Sequence, residues 1–202
     1  ITAIVGTPIL AENGTHSAAA VLEYGQVARY ITKANITARR EMGFLNGGKG
    51  MECIKIGGEK VAVVVGDDFS SMKRLDRDTD YIFSINARRY GRGMMSYRYK
   101  SMHDLAFVES KNIVFINQVG GSGEIVYDGT SGVMNQNGDV TLMMKSFEED
   151  FAVYDTLADN KPCDIPQELY RHERTGYIYR AAVLGLRDYF YKNGYKKACV
   201  GL

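Results

Sequence analysis

The run VAVVVGDD at residues 61–68 constrains the fold more than any other part of the sequence. Its first five residues are all apolar, so a β-strand built from them has two apolar faces and must be buried between two layers. A second such run, YIFSINA, is followed by a helical pattern from about residue 94 to residue 110 and then by NIVFINQV. Alternation of buried strands with a helix predicts an α/β domain in which helices cover a mixed sheet.

Glycine-containing turns mark the connections between other strands. AAAVLEYGQVARYITK predicts two strands around a turn at 23–25, and MECIKIGGEKVAVVVG predicts a hairpin that turns at Gly57-Gly58. EIVYDGTSGVMNQNGDVTLMMK predicts two strands around the turn at 136–138. At the two ends, ITAIVGTP is typical of a buried strand and KKACVGL of a final strand. Both ends look cut, so we expect a piece of a longer polypeptide.

The last forty residues differ from the rest in composition. DTLADNKPCDIPQE is polar, contains two of the three prolines and is typical of a linker. After it, apolar residues recur at helical spacing and Asn193-Gly194 supplies a stop signal. This pattern predicts one amphipathic helix that leads into the final strand and opens a second domain. The predicted apolar stripe consists of Ile178, Ala181, Ala182, Gly185, Leu186 and Tyr189.

Composition excludes several classes of function. The chain has 25 basic and 24 acidic residues, so its net charge favours neither nucleic acid nor an anionic membrane as a partner. The arginine- and tyrosine-rich segment at 86–100 is better explained as a subunit contact or an arginine-lined surface than as a site for RNA. No apolar run approaches the roughly 20 residues that span a bilayer, and we expect a cytoplasmic protein.

Neither metal nor phosphate binding is predicted. The three cysteines lie far apart with no CxxC pair, and His16, His103 and His172 are widely scattered. The glycine-rich runs GGSGE and GFLNGGKG do not end in Gly-Lys-Ser/Thr before a helix, as a phosphate-binding loop requires.

Two long segments carry a resemblance to a known family. YIYRAAVLGLRDYFYKNGYKKACVGL resembles the beginning of the synthetase domain of glutamine-dependent NAD synthetases. INQVGGSGEIVYDGTSGVMNQNGDV resembles the amidase domain of the same enzymes. The resemblance implies a nitrilase-like (carbon–nitrogen hydrolase) fold, a layered α-β-β-α sandwich that is truncated at its N-terminus. It further implies an amidase-like domain over 1–155, a linker over 156–168, and the first helix and strand of the ATP-dependent domain over 169–202.

The resemblance also implies what the parent enzyme does. Such an enzyme amidates deamido-NAD to NAD with ATP and Mg²⁺, takes its nitrogen from glutamine or ammonia, and forms homo-oligomers. The first part of the amidase domain, which carries the general base, and the loop that holds ATP phosphates are missing from this chain. No cofactor is therefore expected to bind within it.

The opening run departs from the family at one decisive position. In these amidase domains the equivalent strand ends in a nucleophilic cysteine followed by Glu-Asp, whereas this chain has Gly66, Asp67 and Asp68. Glycine has no side chain that could attack the carboxamide carbon of glutamine. Ser70 and Ser71 lie several residues beyond the turn, too far to replace it.

Lys33 falls where the family has its catalytic lysine, a cation that stabilises negative charge on the tetrahedral intermediate. The sequence leaves a second interpretation, a solvated lysine at a strand end, and the lost nucleophile favours it. The following loop, ANITARREMGFLNGG, is shorter than in the family, lacks its proline and retains mainly Phe44 and Gly47. These differences from the family weaken the predicted substrate pocket further.

The predicted substrate-binding residues show a similar mixture. The family carries Ala-Ser after Ile-Asn, and this chain has Asn86, Ala87 and then Arg88. Arg98, Glu124 and Ser131 keep the family spacing and are the candidate substrate contacts. The simpler account is structural retention, in which Glu124 and Ser131 belong to a loop framework together with Gln118, Gly120, Gly121 and Asp128.

Two hypotheses about function follow. The first is an amidase-like domain whose glutaminase centre has degenerated, which leaves a structural and oligomerising role. The second is an active amidase that uses another nucleophile, of which Cys53 is the candidate. A deliberate replacement at Gly66 is a further explanation, although the changes at Asp67, Arg88 and the loop after Lys33 favour natural decay.

Overall fold

Two stacked β-sheets and a covering helix form the body of the protein. The computed structural model describes residues 1–37, 41–66, 68, 75–165 and 175–201. The first sheet has the strand order β1-β2-β3, with antiparallel pairing throughout. Its strands are β1 (Thr2–Ala11), β2 (Gly14–Glu23) and β3 (Gln26–Thr32). The hairpin turn predicted at 23–25 lies between β2 and β3.

The second sheet has six strands and mixed pairing. Its order is β11-β10-β7-β6-β5-β4, and the central strands β5, β6 and β7 are parallel to one another. Helix α1 (Met94–Glu109) makes the crossover from β6 to β7, as parallel strands require. The six strands are β4 (Glu52–Ile56), β5 (Glu59–Val65), β6 (Tyr81–Asn86), β7 (Asn112–Asn117), β10 (Gly132–Met134) and β11 (Val140–Met143).

Strand β5 is buried on both faces, which confirms the prediction from its apolar run. Val61, Val63 and Val65 point into a cluster between the two sheets, which also contains Ala19 and Ile31 of the first sheet. Ala62 and Val64 point the other way, into a helix-side cluster with Met102 and Ala106 of α1. Because side chains alternate along a strand, five consecutive apolar residues serve two cores at once.

The first strand differs from its prediction. ITAIVGTP does form β1, but the strand is not buried, since Val5 is 51% and Leu10 is 84% exposed. The physical reason is its position. In the described part of the chain β1 pairs only with β2, and it therefore lies at the edge of the sheet.

A small hairpin carries the second helix. Strands β8 (Val119–Ser122) and β9 (Ile125–Asp128) pair with each other, so NIVFINQV is divided between β7 and β8. Helix α2 (Thr175–Asn193) packs on this hairpin through Ala181, Leu184 and Gly185. The predicted stripe was partly wrong, because Ile178, Leu186 and Tyr189 are 48%, 61% and 47% exposed. Small residues determine the packed side, since they let the helix backbone approach the hairpin at Gly121.

The segments that flank α2 also differ from expectation. Residues 195–201 form no strand and are exposed, because a strand needs a paired neighbour and the described structure offers none there. Residues 156–165 of the predicted linker lack regular structure, yet they are attached to the body. The Cys163 N–H donates to the carbonyl of Val140 on β11 at 2.8 Å, and Cys163 packs against the helix-side cluster.

Asp188 holds α2 to the hairpin. Its Oδ2 accepts a 2.7 Å hydrogen bond from the Gly121 N–H, and Lys192 donates from its Nζ to the Gly121 carbonyl. Burial acts to raise the pKa of Asp188, but the hydrogen bonds from Gly121 and Arg187 outweigh it and leave the pKa below its ordinary value. The ionised carboxylate therefore stabilises the docked helix.

We expect Asp188→Asn to lower the free energy of unfolding by about 1 kcal/mol at pH 7, since a charge-assisted hydrogen bond is lost. The difference from the unsubstituted protein should shrink as the pH falls below about 4, because Asp188 then takes up a proton in the unfolded chain at a higher pH than in the folded protein, where its pKa is lowered. Urea denaturation of both proteins at pH 7 and pH 3 measures this. A difference of constant size at both values would contradict it.

Candidate functional site

The carboxyl ends of the three parallel strands meet at one edge of the six-stranded sheet. Val65 of β5 pairs with Ile85 of β6, and Asn86 of β6 pairs with Asn117 of β7. Gly66, Asn86 and Asn117 therefore follow one another across this edge. In open α/β sheets the carboxyl ends of parallel strands are where ligands bind. The edge is the candidate site.

Gly66 lies directly beside Lys33. A Cβ built on Gly66 would lie 3.4 Å from Lys33 Nζ and 3.2 Å from Lys33 Cε. The two positions that the resemblance pairs as nucleophile and lysine are thus in contact. Gly66 has φ +61°, a left-handed conformation that favours glycine over residues with a side chain.

Lys33 is buried at the end of β3. Only 4% of the residue is exposed, so the interpretation as a solvated lysine is wrong. Its Nζ donates to Glu41 Oε2 at 2.8 Å. Sequence analysis did not predict Glu41 as the partner of Lys33, because the loop that contains Glu41 is shorter than in the family and does not match its pattern. A buried cation needs a counter-charge, and the loop supplies it.

Asp68 ties the end of β5 to the segment after Lys33. Its carboxylate accepts hydrogen bonds from the Ala34 N–H at 2.6 Å and from the Asn35 N–H at 2.8 Å. The side-chain amide of Asn35 donates to it as well, at 3.0 Å. These bonds hold Lys33 close to Gly66. Asp67, Ser70 and Ser71 lie outside the described residues.

The glycine-rich loop at 43–50 packs tightly against the end of β3. Gly48 N–H donates to the Lys33 carbonyl at 2.7 Å, and Gly50 N–H donates to the Thr32 carbonyl at 2.9 Å. A Cβ at Gly47 would lie 2.5 Å from the Ala34 carbonyl oxygen, a distance that no side chain tolerates. Phe44, the other residue retained from the family pattern, is 68% exposed.

A buried ion pair occupies the neighbouring part of the edge. Arg98 of α1 donates to Asp128 of β9 through two parallel bonds, each 3.0 Å long. Asn117 donates from Nδ2 to Asp128 Oδ1 at 3.2 Å and to the Gly129 carbonyl at 3.1 Å. The network joins α1, β7 and the β8–β9 hairpin. Asn117 and Asp128 were not predicted as a pair, although a polar residue at the end of a buried strand is a recognisable signal.

The other candidate residues lie around this network. Ser131 is buried, and its hydroxyl accepts from the Asn117 N–H at 3.0 Å. Glu124 is exposed in the hairpin turn and lines a cavity of about 270 Å³ with Arg89 and Tyr90. Arg88 Nε reaches Asn86 Oδ1 at 3.4 Å. Arg98 and Ser131 thus bond within the protein.

Cys53 lies away from Lys33. It is the second residue of β4 and pairs with Ala62, and its side chain packs against the helix-side cluster. Its side chain therefore lies on the face of the six-stranded sheet that points away from the first sheet. Lys33 lies on the other side, at the end of β3 in the first sheet. A partly buried cysteine in such a position behaves as a small apolar residue.

The two glycine-rich runs do not have the form of a phosphate-binding loop. GGSGE forms β8 and the hairpin turn before β9, and GFLNGGKG precedes β4, so neither run leads into the N-terminus of a helix. Among the described residues no three His, Cys, Asp or Glu side chains are grouped so that they could hold a metal ion. In the same residues no helix is long and apolar enough to cross a membrane.

Comparison of sequences confirms the predicted resemblance. No family model matches the chain. It is 29% identical over 214 residues to the glutamine-dependent NAD(+) synthetase of Xylella fastidiosa, which covers all of this chain and 39% of that protein. It is 27% identical to the enzyme of the same name from Thermotoga maritima, covering all of this chain and 42% of the relative. The chain thus spans less than half the length of these relatives.

Comparison of structures confirms the nitrilase-like fold. The glutamine-dependent NAD+ synthetase of Acinetobacter baumannii, solved in complex with ADP, superimposes with a TM-score of 0.80 at 28% identity, covering 96% of this chain and 38% of that one. A CN-hydrolase superfamily protein from Xanthomonas campestris superimposes with a TM-score of 0.65 at 17% identity, covering 74% and 60%. The second likeness shows the fold alone.

Replacement of Gly66 by cysteine should create an activated thiol. The sulfur would lie beside the Lys33 ammonium, which lowers the pKa of a thiol below its usual value near 8.5. We expect G66C to be alkylated by iodoacetamide at pH 7 at least about tenfold faster than the exposed Cys199. The double variant G66C/K33M should lose that advantage. Equal rates in the two variants would show that Lys33 does not act on residue 66.

Removal of one partner from the Arg98–Asp128 pair should destabilise the fold strongly. Arg98→Met leaves a buried carboxylate without its counter-charge, a loss of about 3–5 kcal/mol. Lys100→Met, on the same helix, removes an exposed pair with Asp104 and should change the free energy of unfolding far less, because solvent screens an exposed ion pair. Chemical denaturation of both variants tests this. Similar losses in the two would contradict a structural role for the buried pair.

Proposed function

We propose that this chain, similar nearly from end to end to glutamine-dependent NAD(+) synthetases, is the amidase-like part of such an enzyme and has lost its glutaminase chemistry. The parent enzyme would amidate deamido-NAD to NAD in the cytoplasm, with ATP and Mg²⁺ bound outside this chain. The amidase-like part would then serve as a structural unit in a homo-oligomer. Ammonia, rather than glutamine, would supply the nitrogen.

The observation that carries the proposal is the environment of Gly66. Hydrolysis of a carboxamide through a covalent intermediate needs a nucleophile whose attack expels ammonia and leaves an acyl-enzyme. The position beside the buried Lys33 has a hydrogen atom in place of that nucleophile. Lys33 would be vestigial, a cation whose charge is now balanced by Glu41.

The contacts of the remaining candidates support a framework role. Arg98 directs both of its terminal nitrogens to Asp128, and Ser131 bonds to the backbone of Asn117. Groups engaged in this way hold the strands and the hairpin in place whether or not chemistry occurs. We propose that fold and oligomer assembly have preserved them, and that Glu124, which lines the surface cavity with Arg89 and Tyr90, is the remaining candidate for a ligand contact.

The alternative, an active amidase that uses Cys53, has weaker support. Attack by Cys53 would need Lys33 or another cation beside the developing negative charge. Its side chain packs instead against Ala62 and the other residues of the helix-side cluster.

The test is the nitrogen source used by the full-length product of the gene. We expect NAD formation from deamido-NAD and ATP with ammonium, and a rate with glutamine no higher than without added nitrogen. Equal use of glutamine would overturn the loss of glutaminase chemistry and point to another nucleophile. Absence of activity with both sources would overturn the assignment of the parent reaction.

A further inference from the structure

The dipeptide Asn-Gly occurs four times in the chain, at 13–14, 46–47, 137–138 and 193–194. At such a dipeptide the glycine nitrogen can attack Cγ of the asparagine, because glycine has no side chain to obstruct the approach. A bond forms between these two atoms, the bond from Cγ to Nδ2 breaks, and ammonia leaves with the former N–H proton. Water then opens the cyclic imide to aspartate or isoaspartate. Each of the four dipeptides is thus chemically able to change without an enzyme or a cofactor.

Local structure restrains the attacking nitrogen at three of the four dipeptides. The Gly138 N–H donates to the carbonyl of the residue three positions earlier at 2.9 Å, and the Gly194 N–H does the same at 3.2 Å. Gly14 is the first residue of β2 and pairs with Ala11 where the β1–β2 hairpin closes. An N–H that donates within a tight turn must give up that bond before its nitrogen can attack. We therefore expect slow conversion at these three dipeptides.

Asn46-Gly47 differs from the other three dipeptides. Within the described part of the chain the Gly47 N–H donates to no acceptor, and both residues are exposed. The Asn46 side chain donates from Nδ2 to the Asn13 carbonyl, in a contact at the surface. Water can replace an exposed bond of this kind at little cost, whereas a turn bond fixes the backbone itself. Asn46 is therefore the asparagine whose neighbouring nitrogen is ready to react.

The residues directly after Gly47 attach the glycine-rich loop to the end of β3. The Gly48 N–H donates to the Lys33 carbonyl at 2.7 Å, and the Lys49 N–H donates to Thr32 Oγ1 at 3.0 Å. Isoaspartate lengthens the backbone by one carbon atom, for which the tight packing of Gly47 leaves no space. Aspartate replaces the Nδ2 donor by a carboxylate that faces a carbonyl oxygen. Either product therefore weakens the attachment of the loop.

We propose that Asn46 is a site of spontaneous deamidation, and that its conversion to aspartate or isoaspartate loosens the glycine-rich loop from the end of β3. This inference goes beyond the proposed function and does not depend on it. The Leu45 N–H donates to the Glu41 carbonyl at 2.8 Å, so the loop is continuous with the partner of Lys33. Molecules that have aged would therefore hold their buried lysine less firmly than new ones.

Peptide mapping by mass spectrometry of the full-length gene product tests the site. During incubation at pH 7 we expect conversion at Asn46 to be at least about fivefold faster than at any of the other three asparagines, which is the factor that one intramolecular hydrogen bond contributes. The same protein in urea is the control, because the turns are then lost and the four rates should be similar. Faster conversion at another of these asparagines in the folded protein, or the same ratios in urea, would overturn the proposal.

Amide hydrogen exchange tests the effect on the loop. Asn46→Asp carries the aspartate product, and we expect it to speed exchange of the Gly48 and Lys49 amides at least about fivefold, because their bonds to β3 are weakened. Asn137→Asp is the matched control, since it makes the same change in the turn between β10 and β11 and should leave both amides as they are. Asn46→Gln keeps a side-chain amide but closes the imide ring far more slowly, so it should prevent the conversion. Exchange that is unchanged in Asn46→Asp, or equally fast in Asn137→Asp, would overturn the loosening of the loop.

Discussion

The burial of β5 on both faces is the constraint from which the rest of the structure follows. Val63 and Val64 are fully buried yet face opposite cores, so the strand cannot shift by one residue without exchanging the two sets of contacts. The end of β5 is thereby fixed at the sheet edge. Asp68 then brings the segment after β3 to that edge, and Lys33 meets Gly66 there.

Under the proposed function, the protein would separate two properties that active amidases combine, the structural support of the site and the group that reacts. The supports of the site remain, since Arg98, Asp128 and Asn117 join α1, β7 and the β8–β9 hairpin through buried hydrogen bonds. At Gly66, where the resemblance places the nucleophile, there is no side chain. Supports of this kind contribute to stability in every molecule at all times, whereas a nucleophile contributes only when it turns over substrate. The two sets of residues are therefore free to change independently.

Sequence reasoning succeeded where a pattern has one physical solution. An apolar run such as 61–65 must be buried, and Gly57-Gly58 between two strands must turn. It failed on α2, which has two apolar faces, because only the approach of Gly185 to Gly121 determines which of them packs. It also missed Glu41 as the partner of Lys33, since an ion pair between a strand end and a rearranged loop leaves no periodic signal.

The backbone at Gly66 has a consequence for how such a site changes over time. At φ +61° a side chain adds roughly 1–2 kcal/mol of conformational strain, and glycine adds none. Once glutamine hydrolysis ceases to be under selection, replacement by glycine improves stability at no cost to fitness. The reverse substitution would have to lose that stability before any activity returned. Under the proposed function, decay at this position would be self-reinforcing, because the backbone geometry that strains any side chain at residue 66 favours the glycine found there.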